Sequence, residues 1–234
     1  MTVRAIQKRL ETLGDPKKAA HAQRFFKTGP GQYGEGDVFR GIRVPVLRKL
    51  AKQYKTLPLN ETVTLLQSPF HEDRLLALFI LVYAFSKGDA ATRQTIYDLY
   101  LKYTKWINNW DLVDASAHKI VGPFLMDRSR APLYQLARSA SLWERRIAII
   151  STFAFIRHDQ FEDALALAKI LLPDKEDLIH KAVGWVLREI GKRNLDAEEG
   201  FLLQHYRAMP RTMLRYAIER FPEPRRQGYL KGLI

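Results

Sequence analysis

A charged residue heading an apolar helical face returns at nearly constant intervals along this chain. The five residues are Arg74, Asp111, Arg146, Lys181 and Arg215, spaced by 37, 35, 35 and 34 residues. Each interval has room for one inner and one outer helix. A unit of this length cannot bury its apolar face alone, so successive units must stack on one another. Between these positions apolar residues keep the helical period, as in Val3, Ile6, Leu10 and Leu13, and no strand-like alternation interrupts them. Breaks fall at Gly14-Asp15-Pro16, Leu57-Pro58, Ser68-Pro69, Lys87-Gly88-Asp89, Gly122-Pro123, Leu172-Pro173 and Pro222, about one ordinary helix apart. The expectation is an all-α solenoid of antiparallel helix pairs with a basic concave groove. It forms one domain over 1–234: helices over 1–27, a loop over 28–42 and repeats over 43–234.

Charge gives the first indication of a partner. The net charge of +13 is uneven: residues 1–58 hold 13 Lys+Arg against 4 Asp+Glu, 59–174 hold 13 of each, and 175–234 hold 12 against 8. Basic ends around a balanced middle suit a long polyanion gripped at both ends. A merely soluble basic protein is the simpler alternative. With no cysteine, disulfides and thiolate metal sites are excluded. The six histidines are scattered, so no metal or other cofactor is expected. With no signal-like or membrane-spanning run, the expectation is a cytoplasmic protein, and a helical solenoid gripping a polyanion can act as a monomer.

The segment 28–42, TGPGQYGEGDVFRGI, carries five glycines and a proline and cannot be helical. No Gly-Lys-Ser/Thr follows, so it is not a Walker loop. Two readings stand side by side. Its backbone N–H groups, with Lys27, Arg40 and Arg43, touch phosphates; or it tethers the first helical pair to the repeats.

Three tryptophans sit on helical segments beside charge: Trp110 with Asp114, Trp143 with Arg146, and Trp185 between Lys181 and Arg188. Trp110 and Asp114, four apart, share a helix face. Asn108 and Asn109 suit the cap of that helix, and Asp111 lies in its first turn, where a carboxylate meets the positive end of the helix dipole; Asp111 reads as structural. Asp114 is a turn deeper, where capping does not explain it, and is either functional or a solvated surface acid. Arg145 and Arg146 point about 100° apart, so one can face a groove while the other pairs with Glu144 or solvent. The indoles are either working surface or core anchors.

Taken in order, Trp110–Asp114, Trp143–Arg146 and Gly-Trp-Val-Leu-Arg-Glu at Gly184–Glu189 make the chain resemble the bacterial AlkD family of alkylpurine DNA glycosylases, built from HEAT-like repeats, from about Gln23 onward. The resemblance implies hydrolysis of the N-glycosidic bond of cationic alkylated purines, of the 3-methyladenine and 7-methylguanine type, in double-stranded DNA. It implies a catalytic carboxylate at Asp114, active-site indoles at Trp110 and Trp185, and a phosphate contact at Arg146. It also implies recognition without turning the base out, which suits a sequence offering no obvious wedge or pocket. Phe25 stands where relatives can carry tyrosine, and the Gly-rich segment is longer than the corresponding turn. The expected DNA contacts are Phe25, Lys27, Arg40, Arg43, Lys181, Arg188 and Arg215. The alternative is a non-catalytic helical-repeat scaffold for nucleic acid or protein.

Overall fold

The computed structural model describes residues 2–234, which form two compact units divided between residues 120 and 121. The first holds α1 (Val3–Leu13), α2 (Pro16–Phe25), α3 (Val44–Gln53), α4 (Leu59–Leu66), α5 (His71–Lys87), α6 (Ala90–Lys102) and most of α7 (Trp110–Phe124). The second holds the end of α7, α8 (Ala131–Leu136), α9 (Leu142–Ser151), α10 (Phe153–Ile156), α11 (Glu162–Ile170), α12 (Asp177–Gly191), α13 (Leu195–His205), α14 (Arg211–Ala217) and α15 (Glu223–Lys231). The fold is an all-helical repeat, and no strand occurs among the described residues. None of the helices is long and apolar enough to cross a membrane.

The five recurring charged residues stand on α5, α7, α9, α12 and α14, with one helix between successive members except between α9 and α12, where α10 and α11 both lie. In the first unit α5 packs on α3, α4 and α6. Its run Leu75–Leu81 is wholly buried, because neighbours cover it on all sides. In the second unit α12 packs on α9, α13 and α14. Gly184 makes the last of these contacts possible: a Cβ there would stand 2.4 Å from the Met213 carbonyl oxygen and 2.5 Å from the Tyr216 Cβ.

The breaks end helices where expected. Asp15 caps α2 by accepting from the Lys17 and Lys18 amides, and Asp89 caps α6 by accepting from Thr92. Two details differ. Pro123 does not stop α7 but rides in its last turn, with the helix ending at Phe124. The apolar run after Arg146, read as one helix, is broken between α9 and α10. Ser151 and Thr152 turn their hydroxyls back onto the Ile147 and Ile149 carbonyls, both at 2.6 Å, and this local competition bends a helix.

Candidate active site

The Gly-rich segment is irregular, as its composition requires, and its role is set by the residues that open α5. Glu72 is buried and its carboxylate accepts three consecutive amides of the segment: Arg40 at 2.8 Å, Gly41 at 2.7 Å and Ile42 at 3.1 Å. A phosphate nest at 40–42 is therefore already filled by the protein's own anion. The three amides are thus engaged inside the protein. Gly41 is obligatory, with φ of 80° and no room for a Cβ, which would lie 2.2 Å from the Asp15 carbonyl oxygen. Arg40 is engaged inside the protein as well. Its guanidinium grips the buried Asp73 with two bonds, at 2.6 and 3.1 Å, and lies 3.7 Å over the Phe70 ring. It holds the segment to α5 rather than facing outward.

Next to this lies a polar chain that reaches α7. Asp37, buried in the segment, accepts from His71 Nδ1 at 2.8 Å, from Arg74 Nη2 at 2.5 Å and from Asn109 Nδ2 at 3.2 Å. The other ring nitrogen of His71 meets Asp111 Oδ2 at 2.8 Å. Burial works against an imidazolium at His71, but the carboxylates of Asp111 and Asp37 outweigh it and raise its pKa from 6.5 to about 9. Burial also works against charge on Asp37, yet His71 and Arg74 hold it below the usual carboxylate value. Asp111 is bonded to His71, a partner that helix-end reasoning could not supply. Asn109 accepts Val113 N with its carbonyl and Trp110 N with its side chain, so it heads α7, while Asn108 leaves its side-chain oxygen without a hydrogen-bond partner.

Trp110 and Asp114 both stand on the first two turns of α7, half-buried, and line one cavity of about 220 Å³ with Asp111, Arg48 and Phe79. A second cavity of about 370 Å³ sits beside it, floored by Phe26, Phe39 and Leu47. Neither cavity was evident in the sequence. Trp110 is neither sealed in the core nor loose. Phe26 stacks on it at 5.3 Å, Phe39 stacks on Phe26 at 5.0 Å, and the His71 ring stacks on Phe39 at 4.4 Å. Phe25 adds an edge contact at 6.1 Å while staying 58% exposed. Behind Asp114, the buried Tyr100 hydroxyl bonds Ser116 at 2.8 Å and ties α6 to α7; burial pushes that hydroxyl's pKa up.

The second unit carries the remaining residues. Trp185 is half-buried on α12, tilted against Phe153 at 4.6 Å, and its Nε1 donates to Glu189 at 3.2 Å. Arg146 is only 5% exposed, and its Nη1 donates to the Leu178 carbonyl at 2.5 Å. Arg145 pairs with Asp174 at 2.6 Å rather than with Glu144, whose carboxylate accepts from Ser139 instead. Lys181 pairs with Asp177 at 2.7 Å, and Arg188 with Glu219. Lys27, Arg43 and Arg215 are exposed. No cluster of potential metal ligands occurs among the described residues.

Sequence reasoning missed Asp37, His71 and Glu72, and saw Arg74 only as a repeat marker. The available signal was the run His-Glu-Asp-Arg opening an otherwise apolar helix. Four ionisable residues at the head of a buried element need internal partners.

Two solved structures share the fold. One is described as a predicted DNA alkylation repair enzyme from Enterococcus faecalis, with a TM-score of 0.69 and 18% identity over 90% of this chain and 97% of its own. The other is AlkD2 from Streptococcus mutans, with a TM-score of 0.54 and 17% identity over 94% and 99%. No curated protein matches the chain. The family model described as DNA alkylation repair enzyme matches residues 6–221, and the chain belongs to that family.

Proposed function

We propose that the protein is a monofunctional DNA glycosylase that hydrolyses the N-glycosidic bond of cationic alkylated purines in duplex DNA, without turning the base out. The observation that carries this reading is a carboxylate and an indole, Asp114 and Trp110, one helical turn apart and opening on the same cavity. A base that already bears positive charge leaves without a general acid. The barrier then lies in the electron-poor sugar that forms as the bond lengthens, as in glycoside hydrolysis. Asp114 stabilises that charge and orients the attacking water. Trp110 offers a ring face to the sugar, worth about 1–2 kcal/mol for a cation over an indole in a dry site. By the family resemblance Trp185 contributes in the same way.

Arg146 takes a different part from the phosphate contact implied earlier. With its guanidinium interior and bonded to Leu178, we assign it to fixing the first turn of α12, the helix that bears Trp185. Lys27, Arg43 and Arg215 remain as exposed cations for backbone contacts, with Phe25 as an exposed ring beside Trp110. The cytoplasm is the compartment, and a single copy suffices.

The test is release of 7-methylguanine from methylated duplex DNA by the wild type and by Asp114→Asn. The variant should retain DNA binding and lose most turnover. Equal release by both would remove Asp114 from the chemistry, and salt-sensitive DNA binding with no release by either would favour the scaffold reading.

A further inference from the structure

We propose that the Gly-rich segment works as a positioning device, in which Asp37 and His71 clamp the first turn of α7 and thereby set the Trp110 ring and the Asp114 carboxylate. The proposal rests on the glycosylase reading for its catalytic consequence and on geometry for its existence.

Three observations converge on it. Asp37 holds Asn109, the residue that heads α7, and holds His71; His71 in turn holds Asp111, the residue after Trp110. The head of α7 is therefore tied to the segment twice, directly and through an imidazole. The aromatic column from His71 through Phe39 and Phe26 ends on the Trp110 ring, so the same histidine also supports the indole from behind. Finally, the segment that supplies Asp37 is locked to α5 by Glu72 and by the Arg40–Asp73 pair, so the clamp is anchored at its far end. A flexible tether would need none of these bonds. In catalysis a misplacement of about 1 Å can cost on the order of 100-fold in rate, which gives a clamp of this kind its value.

The clamp depends on charge. His71 must donate from both ring nitrogens to satisfy both carboxylates, which only the imidazolium can do. The groups facing it are Asp37 from the segment and Asp111 from α7. On its own helix Glu72 is engaged with the segment's amides, Asp73 with Arg40, and Arg74 with Asp37. Lys17, Lys18 and His21 of α2, and Arg43 before α3, line the neighbouring cavity. Loss of the His71 proton leaves a single ring N–H for the two carboxylates and cuts the imidazole link, so the head of α7 keeps only its direct tie through Asn109.

The experiment uses the full chain labelled with 5-fluorotryptophan, with the Trp110 signal assigned through Trp110→Phe. In DNA-free wild type the Trp110 fluorine resonance should shift as pH rises through about 9, together with the His71 ring signals. In His71→Gln and Asp37→Asn that alkaline shift should vanish. In parallel, single-turnover release of 7-methylguanine should fall 10- to 100-fold in both variants with the DNA Kd within about threefold of wild type, and wild-type turnover should decline through the same pH range. If the wild-type Trp110 resonance ignores His71 deprotonation, the clamp is refuted, even where a variant fails to fold. If the resonance responds but the wild type releases no base, the clamp stands and the glycosylase reading fails. If the wild type is active and its rate is indifferent to both the variants and the titration, the positioning role is refuted.

Discussion

Removing the Glu72 carboxylate tests whether the Gly-rich segment is held from within or kept open for DNA. In Glu72→Ala three amides lose their acceptor, two of them through one oxygen, Oε1, and one through Oε2. A buried donor left without a partner costs about 1–3 kcal/mol. Gly41 and Ile42 border the 370 Å³ cavity, so water can reach part of the site and relieve some of that cost. A net loss of about 3–5 kcal/mol follows. At about 2–4 °C per kcal/mol for a chain of this size, Tm should fall by roughly 6–20 °C. Thermal unfolding followed by far-ultraviolet circular dichroism and by tryptophan fluorescence measures it. Asp98→Ala, which loses only an exposed bond to Gln94, should stay within about 0.5 kcal/mol of wild type. DNA affinity separates the two readings. If the amides at 40–42 were meant for phosphate, removing the competing carboxylate would tighten binding. A Tm within 2 °C of wild type, or tighter DNA binding by Glu72→Ala, would refute the internal-anchor reasoning.

Arg40→Ala should lower Tm by several degrees and leave the salt dependence of DNA binding unchanged, whereas Arg43→Ala should lower the slope; binding assays at several salt concentrations decide between them. The Glu198 carboxyl is raised to about 8 by burial and by the neighbouring Glu199. A carboxyl whose folded pKa is raised gives stability that is complete below its unfolded value of 4.5 and lost as pH rises through about 8. Glu198→Gln should therefore unfold at higher temperature than wild type at pH 9 and near the wild-type temperature at pH 4.5. Gly184→Ala pushes a methyl against α14 and should cost about 1–3 kcal/mol, seen as a lower urea midpoint with an unchanged m value. Asp111→Asn removes the carboxylate through which His71 holds the head of α7, so it should lower the melting temperature and slow base release together, as circular dichroism melts and single-turnover release would show.

Helix positions were legible because they follow from local rules. Pro and Gly punctuation marks most of the ends, and the 35-residue recurrence of Arg74, Asp111, Arg146, Lys181 and Arg215 falls on α5, α7, α9, α12 and α14. Trp110 and Asp114 could be paired because four residues on one helix fix their relation without any tertiary knowledge. The partners of Arg40, Asp37 and Glu72 could not, since each lies some thirty residues away and belongs to another element. Charge misled for the same reason. Arg40 reads as a phosphate contact in a basic, Gly-rich stretch, but a buried carboxylate on α5 had a prior claim on it. The break between α9 and α10 was in principle available from Ser151-Thr152, whose hydroxyls compete for backbone carbonyls.

The stack of Phe26 on Trp110 has one more consequence. An aromatic ring has two broad sides, and Phe26 already occupies one of them. Whatever meets this indole in function must approach from the remaining side, so the tryptophan acts as a backed plate and never as one jaw of a stack closed on both surfaces. A smaller residue at position 26 would give the ring a second accessible side and freedom to tilt, and would blur whatever shape discrimination the single open surface imposes.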